Sequence, residues 1–172
     1  MQKDFSYPLR IDDISTAEKE YKLTANEAQC REIAQIFKVE GVKEFHADIY
    51  TRRHNKSSLI DVRGIAQALI TRQSVISLEH FDKNYEADFA LQFDINLTEN
   101  QVRALEEDGV QNIPDVVQGG VIDLAHLAME QIALELEDYP RQEGEEFYFQ
   151  SEFEAQDKQK NNPFQVLEKL KK

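Results

Sequence analysis

Three kinds of side chain in this sequence could do chemistry: four histidines, one cysteine and a cluster of cations around residues 52–72. His46, His54, His80 and His126 could move protons or hold a metal, but none stands in a recognised local signature. Each reads as a surface or strand residue. Cys30 falls inside an expected helix with no HxE or CxxC neighbours, so a half-buried structural thiol is expected. No strand is followed by a GxGxxG or GxxxxGK[ST] loop, which removes nucleotide binding by those devices. No catalytic residue, metal site or cofactor is expected, and an ordinary enzyme is not.

The cations are more informative. The turn "RRHNKSS" puts Arg52, Arg53 and Lys56 at a hairpin tip, and Arg63 and Arg72 lie on or beside the next strands. Guanidinium groups pair with phosphates, and the neighbouring Tyr50 could stack on a base. These five cations are the candidates for RNA contact. The plain alternative is a solvated hairpin that charge protects from edge pairing. The rest of the chain opposes such contact, since the net charge is -13 and unevenly placed. Residues 1–80 hold 12 basic and 12 acidic side chains, while the remaining 92 residues hold 8 and 21. An acidic half repels nucleic acid and attracts basic proteins, or serves solubility alone. DNA is not an expected partner.

Pattern also marks the strands and helices that would hold these side chains. Period-two apolar residues make strands of "FSYPLRI" and "EYKLTA". "NEAQCREIAQIFKVEG" is a helix, with Asn26 as cap, Gln29 in a capping box, Ile33, Ile36 and Phe37 on one face, and Gly41 at its end. "KEFHADIYT" and "LIDVRGIAQALI" are strands on either side of the basic turn. A third run, "RQSVISLEHF", leads into the clearest strand, "NYEADFALQFDI", whose Tyr85, Ala87, Phe89, Leu91, Phe93 and Ile95 point one way. That alternation fits an antiparallel sheet with one wet face. Between Thr98 and Gly120 one short helix is expected, capped by Thr98. "VIDLAHLAMEQIALELEDYP" is a further helix, with Asp123 near its start and Pro140 past its end. The fold class is α+β: a mainly antiparallel sheet or partly closed barrel, two principal helices, and a mobile acidic C-terminal tail.

The expected boundaries are a domain at 1–140 and a largely flexible acidic tail at 141–172. The tail interleaves Phe147, Tyr148, Phe149 and Phe153 with carboxylates and ends in "NNPFQVLEKLKK". Asn162 suits an N-cap and Pro163 the first helical position, with Phe164, Leu167 and Leu170 every third residue. A helix of about ten residues is marginal alone, so it must dock, on its own domain or on a partner. Docking on a partner is the expectation here, with Phe147, Phe149, Phe153, Asn162, Pro163, Phe164 and Leu167 as the docking candidates. No apolar run approaches the roughly 20 residues that cross a bilayer. The start lacks the apolar core of a signal peptide, and one cysteine cannot form an internal disulfide. A reducing cytoplasm, or an organelle of similar chemistry, is expected.

Three segments in order, "GIAQALITRQSVISLEHF", "GGVIDLAHLAMEQIALELEDYP" and "NNPFQVLEKLKK", resemble the bacterial YceD family, a domain also found in plastids. The resemblance runs from about Gly64 to the C-terminus. Many members carry C-x-x-C where this chain has Ser74 and Ser77, and further cysteines where it has "RQEGEEF". Serine hydroxyls do not replace thiolates on zinc, so no metal site carries over. In this respect the chain is similar to the branch seen in alphaproteobacteria, which lacks those cysteines. The resemblance implies a non-enzymatic role in accumulation of large-subunit (23S) ribosomal RNA, through contact with that RNA, with a basic ribosomal protein, or both. The competing expectation is a small-molecule-binding or general interaction domain without a ribosomal role.

Overall fold

The structure, a computed structural model, describes residues 4–146. The chain divides into two units, residues 1–142 and 143–172, and every element below belongs to the first. Helix α1 (Glu27–Phe37), α2 (Glu99–Glu107) and α3 (Leu124–Leu134) accompany seven strands, β1 (Pro8–Arg10), β2 (Lys19–Thr24), β3 (Gly41–Arg53), β4 (Leu59–Gln73), β5 (His80–Asp94), β6 (Asp115–Val116) and β7 (Val121–Asp123). The main sheet runs β2-β3-β4-β5-β6, antiparallel except for the β5–β6 step, and β1 pairs antiparallel with β7 in a separate ribbon. The class is α+β as the sequence suggests. The partly closed barrel is not formed, because β2 and β6 lie at opposite edges of an open sheet.

Alternation decides which face is dry. Phe45, Ala47, Ile49 and Thr51 of β3, Ile60, Val62, Ala66, Ala68 and Ile70 of β4, and Tyr85, Ala87, Phe89 and Phe93 of β5 are buried. Helix α1 packs on β3, and α3 on β3, β4 and β5. Ala47, Ala66 and Ala87 stand side by side across three strands, so the dry face is shallow there. Gly64 sits in the same face, where a Cβ would lie 2.5 Å from the Asp48 carbonyl oxygen and 3.1 Å from the Phe89 ring. No side chain fits that position.

Helix ends follow from their residues. Asn26 and Gln29 form the reciprocal capping box, each accepting a backbone N–H at 3.0 Å. Thr98 N donates to Gln101 Oε1 at the start of α2. Asp123 caps α3 by accepting from Ala125 N and His126 N, and it also takes Tyr7 N and the Ser6 hydroxyl. One carboxylate therefore ties the N-terminal segment to α3. Burial pushes its pKa up, but these donors outweigh that and hold it below the usual carboxylate range.

Several local expectations are corrected. Helix α1 ends at a left-handed Lys38, which closes the last turn onto Ala34 and Gln35, and Gly41 opens β3 instead. Its buried stripe is Cys30, Ile33 and Ala34, with Ile36 turned outward. Helix α3 stops at Leu134, well short of Pro140. "RQSVISLEHF" is mostly a turn between β4 and β5, because Ser74 holds it with side-chain bonds to Ile76 N and Ser77 N. Only Pro8–Arg10 of the first expected strand pairs, and Tyr7 is exposed, with its ring edge-on to Tyr21 at 5.6 Å.

Candidate nucleic-acid interface

The β3–β4 hairpin brings Arg52, Arg53 and Lys56 to one end of the sheet. The ladder runs to Arg53 opposite Ile60, and His54 N then donates to Leu59 O at 3.0 Å to close the turn. Two distant segments are tied to this end. Arg53 N donates to Ser15 O, and Ile95 N to Ser58 O. The result is a shallow open depression lined by Ser15, Thr16, Arg53, Lys56, Asn55 and Asn96, among others, with no carboxylate in its lining. Hydroxyls, amides and two cations converge there. Neither Arg53 nor Lys56 makes an ion pair among the described residues.

The other three candidates are differently engaged. Arg52 reaches Asp61 at 3.2 Å, and the same carboxylate takes His54 Nε2 at 2.7 Å and Gln92 Nε2 at 2.9 Å. Burial raises the Asp61 pKa, but those hydrogen bonds bring it below the ordinary value. Arg63 lies on the wet face of β4, joined to Glu18 by three hydrogen bonds of 2.9–3.1 Å and set over the Tyr50 ring at 4.8 Å. One face of Tyr50 is thus already covered, and its hydroxyl donates to Glu20. Arg72 is 9% exposed, donating to Glu137 O at 2.9 Å and reaching Tyr85 Oη at 3.4 Å. The Tyr85 hydroxyl donates to Glu137 in turn, and burial above all pushes its pKa up to about 12. Arg72 also stands 12 strand positions from Ile60, roughly 40 Å from the hairpin end at ~3.3 Å per residue.

The structure therefore joins Arg52, Arg53 and Lys56, leaves Arg63 part-way along the wet face, and sends Arg72 to the far end. Ser15, Thr16 and Asn96 were not singled out by sequence, since only the folded ladder brings residues 15 and 96 beside residue 55. Phe147, Phe149, Phe153, Asn162, Pro163, Phe164 and Leu167 lie outside the described residues.

Ser74 and Ser77 lie in the turn between β4 and β5, where Val75 and Leu78 are exposed. Ser74 is buried, its N–H donates to Glu79 O, and Val75 N donates to Pro140 O. No group of three or more His, Cys, Asp or Glu side chains suited to a metal occurs among the described residues. Cys30 is buried, and desolvation pushes its thiol pKa up, away from the reactive thiolate. No described helix is long and apolar enough to cross a membrane.

A family model described as large ribosomal RNA subunit accumulation protein YceD matches residues 62–171. The chain belongs to the YceD family. Comparison with curated proteins and with solved structures gives no significant match. The YceD match covers most of β4, all of β5 and α3, Arg63 and Arg72, and the terminal segment, while the hairpin cations at 52–56 precede it. It assigns the family and not a branch of it, and the one cysteine, Cys30, lies ahead of the matched residues. The family description names RNA accumulation and no reaction.

Proposed function

We propose that this protein is a cytoplasmic, non-enzymatic factor for assembly of the large ribosomal subunit, and that it touches ribosomal RNA through the β3–β4 hairpin end. The observation that carries the contact is the carboxylate-free depression holding Arg53 and Lys56 in a chain of net charge -13. Cations beside hydroxyls and amides suit phosphate oxygens and ribose, and among the described residues these two give up no ion pair on binding. Arg52 is a weaker contributor, since Asp61 already neutralises it. Arg63 and Arg72 act as internal partners in this reading, and Tyr50 offers at most one ring face.

A second contact, with a basic ribosomal protein, is favoured by the charge map. Residues 81–146 contain 17 acidic and 3 basic side chains, whereas 147–172 contain 4 and 5. The surplus of negative charge therefore belongs to the stretch from β5 to residue 146, and the terminal segment is close to neutral. The aromatics at 147–153 and the "NNPFQVLEKLKK" segment serve in this reading as apolar docking residues for the same particle.

Sedimentation tests the two contacts together. The protein should migrate with large-subunit precursors in a sucrose gradient, and the triple variant R52E/R53E/K56E should shift it to the top. A silent triple variant, with migration lost on removal of residues 141–172, would assign the association to protein contact. Failure of the intact protein to migrate with precursors, together with a melting temperature raised by a small molecule, would replace the ribosomal reading with the binding-domain one.

A further inference from the structure

Helix α3 is apolar around most of its circumference, yet the fold covers only part of it. Leu124, Ala125, Leu127, Ala128, Met129 and Ile132 are buried, while Ala133 and Leu134 are exposed, the latter at 77%. A helix apolar on every side is suited to full enclosure. On the open side His126, Glu130 and Ala133 fall at i, i+4 and i+7, above the buried Met129, and face the end of α1, where Ile36 is 54% exposed. Together with Phe37 they line a groove of about 430 Å³. Its floor is apolar. Its rim carries Asp138, Glu130, which also meets His126 at 3.3 Å, and Glu137, which is bound by Lys83 and Tyr85, and its one Lys or Arg, Arg72, is already held by the Glu137 carbonyl and Tyr85.

We infer that this groove receives a short amphipathic helix from a basic protein partner, one with Leu, Ile or Phe at i, i+3 and i+4 and Lys or Arg on its flanks. The apolar floor accounts for the spacing, as in other helix-in-groove contacts. The rim and the acidic stretch at 81–146 select cationic flanks and speed encounter. A nucleic acid gains nothing from an apolar floor edged with carboxylates. The inference deepens the protein contact proposed above and rests on that reading, and it is independent of the hairpin contact.

The test uses the full chain and a fluorescein-labelled Leu/Lys peptide of about 14 residues with helical spacing, beside a permuted peptide of the same composition. Fluorescence anisotropy should show the helical peptide binding at least ~10-fold more tightly than the permuted one, and I36E/A133E should remove that advantage. Both positions are exposed, so circular dichroism should show an unchanged fold. The variant E130K/D138K should weaken the helical peptide at low salt while leaving any RNA binding of the hairpin intact. Equal binding of the two peptides, or indifference to I36E/A133E, overturns the inference. So does a concentration-dependent dimer that I36E abolishes, which would give the groove to a second copy. Peptide binding seen only after removal of residues 147–172 would give it to the chain's own end, and overturns it as well.

Discussion

The two ends of the long central ladder are made of similar letters, "RRHNKSS" at the β3–β4 turn and "RQSVIS" at the β4–β5 turn, and they have opposite fates. At the first, the half-buried Arg53 and the exposed Lys56 line an open depression with the serines and no carboxylate. At the second, Arg72 and Ser74 are buried and their hydrogen bonds are spent inside the protein. The cause of the difference comes from elsewhere in the chain. Pro140 O and Glu137 arrive at the β4–β5 end and supply acceptors to Val75 and Arg72, whereas Ser15 and Ile95 meet the hairpin end through backbone hydrogen bonds. Similar side chains are thus left without a carboxylate partner among the described residues at one end, as with Arg53 and Lys56, and drawn into a structural clamp at the other.

The largest effect is expected where the clamp is cut. Replacing Arg72 with Ala leaves the Glu137 carbonyl without this donor and the Tyr85 hydroxyl without its cation, at a cost of about 2–4 kcal/mol. Urea denaturation should show a lower midpoint at unchanged slope. Ser74→Ala removes the acceptor for two turn N–H groups and should cost about 1–2 kcal/mol by the same measurement. If either variant left the midpoint alone while weakening RNA binding, the division between a closed and an open end would be wrong.

A smaller, pH-dependent effect sharpens the same comparison. Burial raises the Glu137 pKa, but bonds from Lys83 and Tyr85 hold it below the ordinary carboxylate value. A depressed carboxylate stabilises the fold above the unfolded pKa and ceases to do so as pH falls through the folded one. Stability should therefore decline below about pH 4.3, and Glu137→Gln should flatten that decline while lowering stability at neutral pH. A decline of unchanged steepness in the variant would remove Glu137 from the clamp.

Much of the fold was legible. The alternation of Tyr85, Ala87, Phe89 and Phe93 announced a half-wet strand, and the Asn26–Gln29 capping box was readable because it acts within three residues, whereas Asp123 was placed only near the start of α3 and its bonds to Ser6 and Tyr7 come from distant chain. The illegible parts depend on distant chain. Nothing local to Arg72 says that Glu137 will meet it, and nothing near Lys56 says that Ser15 and Asn96 will flank it. Ile36 misled for a related reason: helical spacing gives a face, but only packing tells which face is covered. The serine turn at 74–77 looked like strand because Val75 and Ile76 are strand formers, and the turn-making bonds come from a serine side chain that propensity does not count.

The smallest stability effect belongs to the open end, and that is its diagnostic. R53E/K56E removes no ion pair among the described residues, so the urea midpoint should move by no more than about 0.5 kcal/mol. Binding should tell a different story. Each phosphate neutralised on a single strand contributes about 0.7 to the slope of log affinity against log salt, so losing two contacts should lower that slope by about 1.4. The reversed charges should also weaken binding at low salt far more than at high salt, because the repulsion they add is itself screened. A variant that lost affinity equally at every salt concentration would have lost shape and not charge, and the hairpin would then be a steric feature of the fold in place of a phosphate contact. Unchanged slope with unchanged affinity would leave Arg53 and Lys56 as ordinary solvated residues guarding the hairpin, and the RNA contact would have to be sought on the wet face beside Arg63.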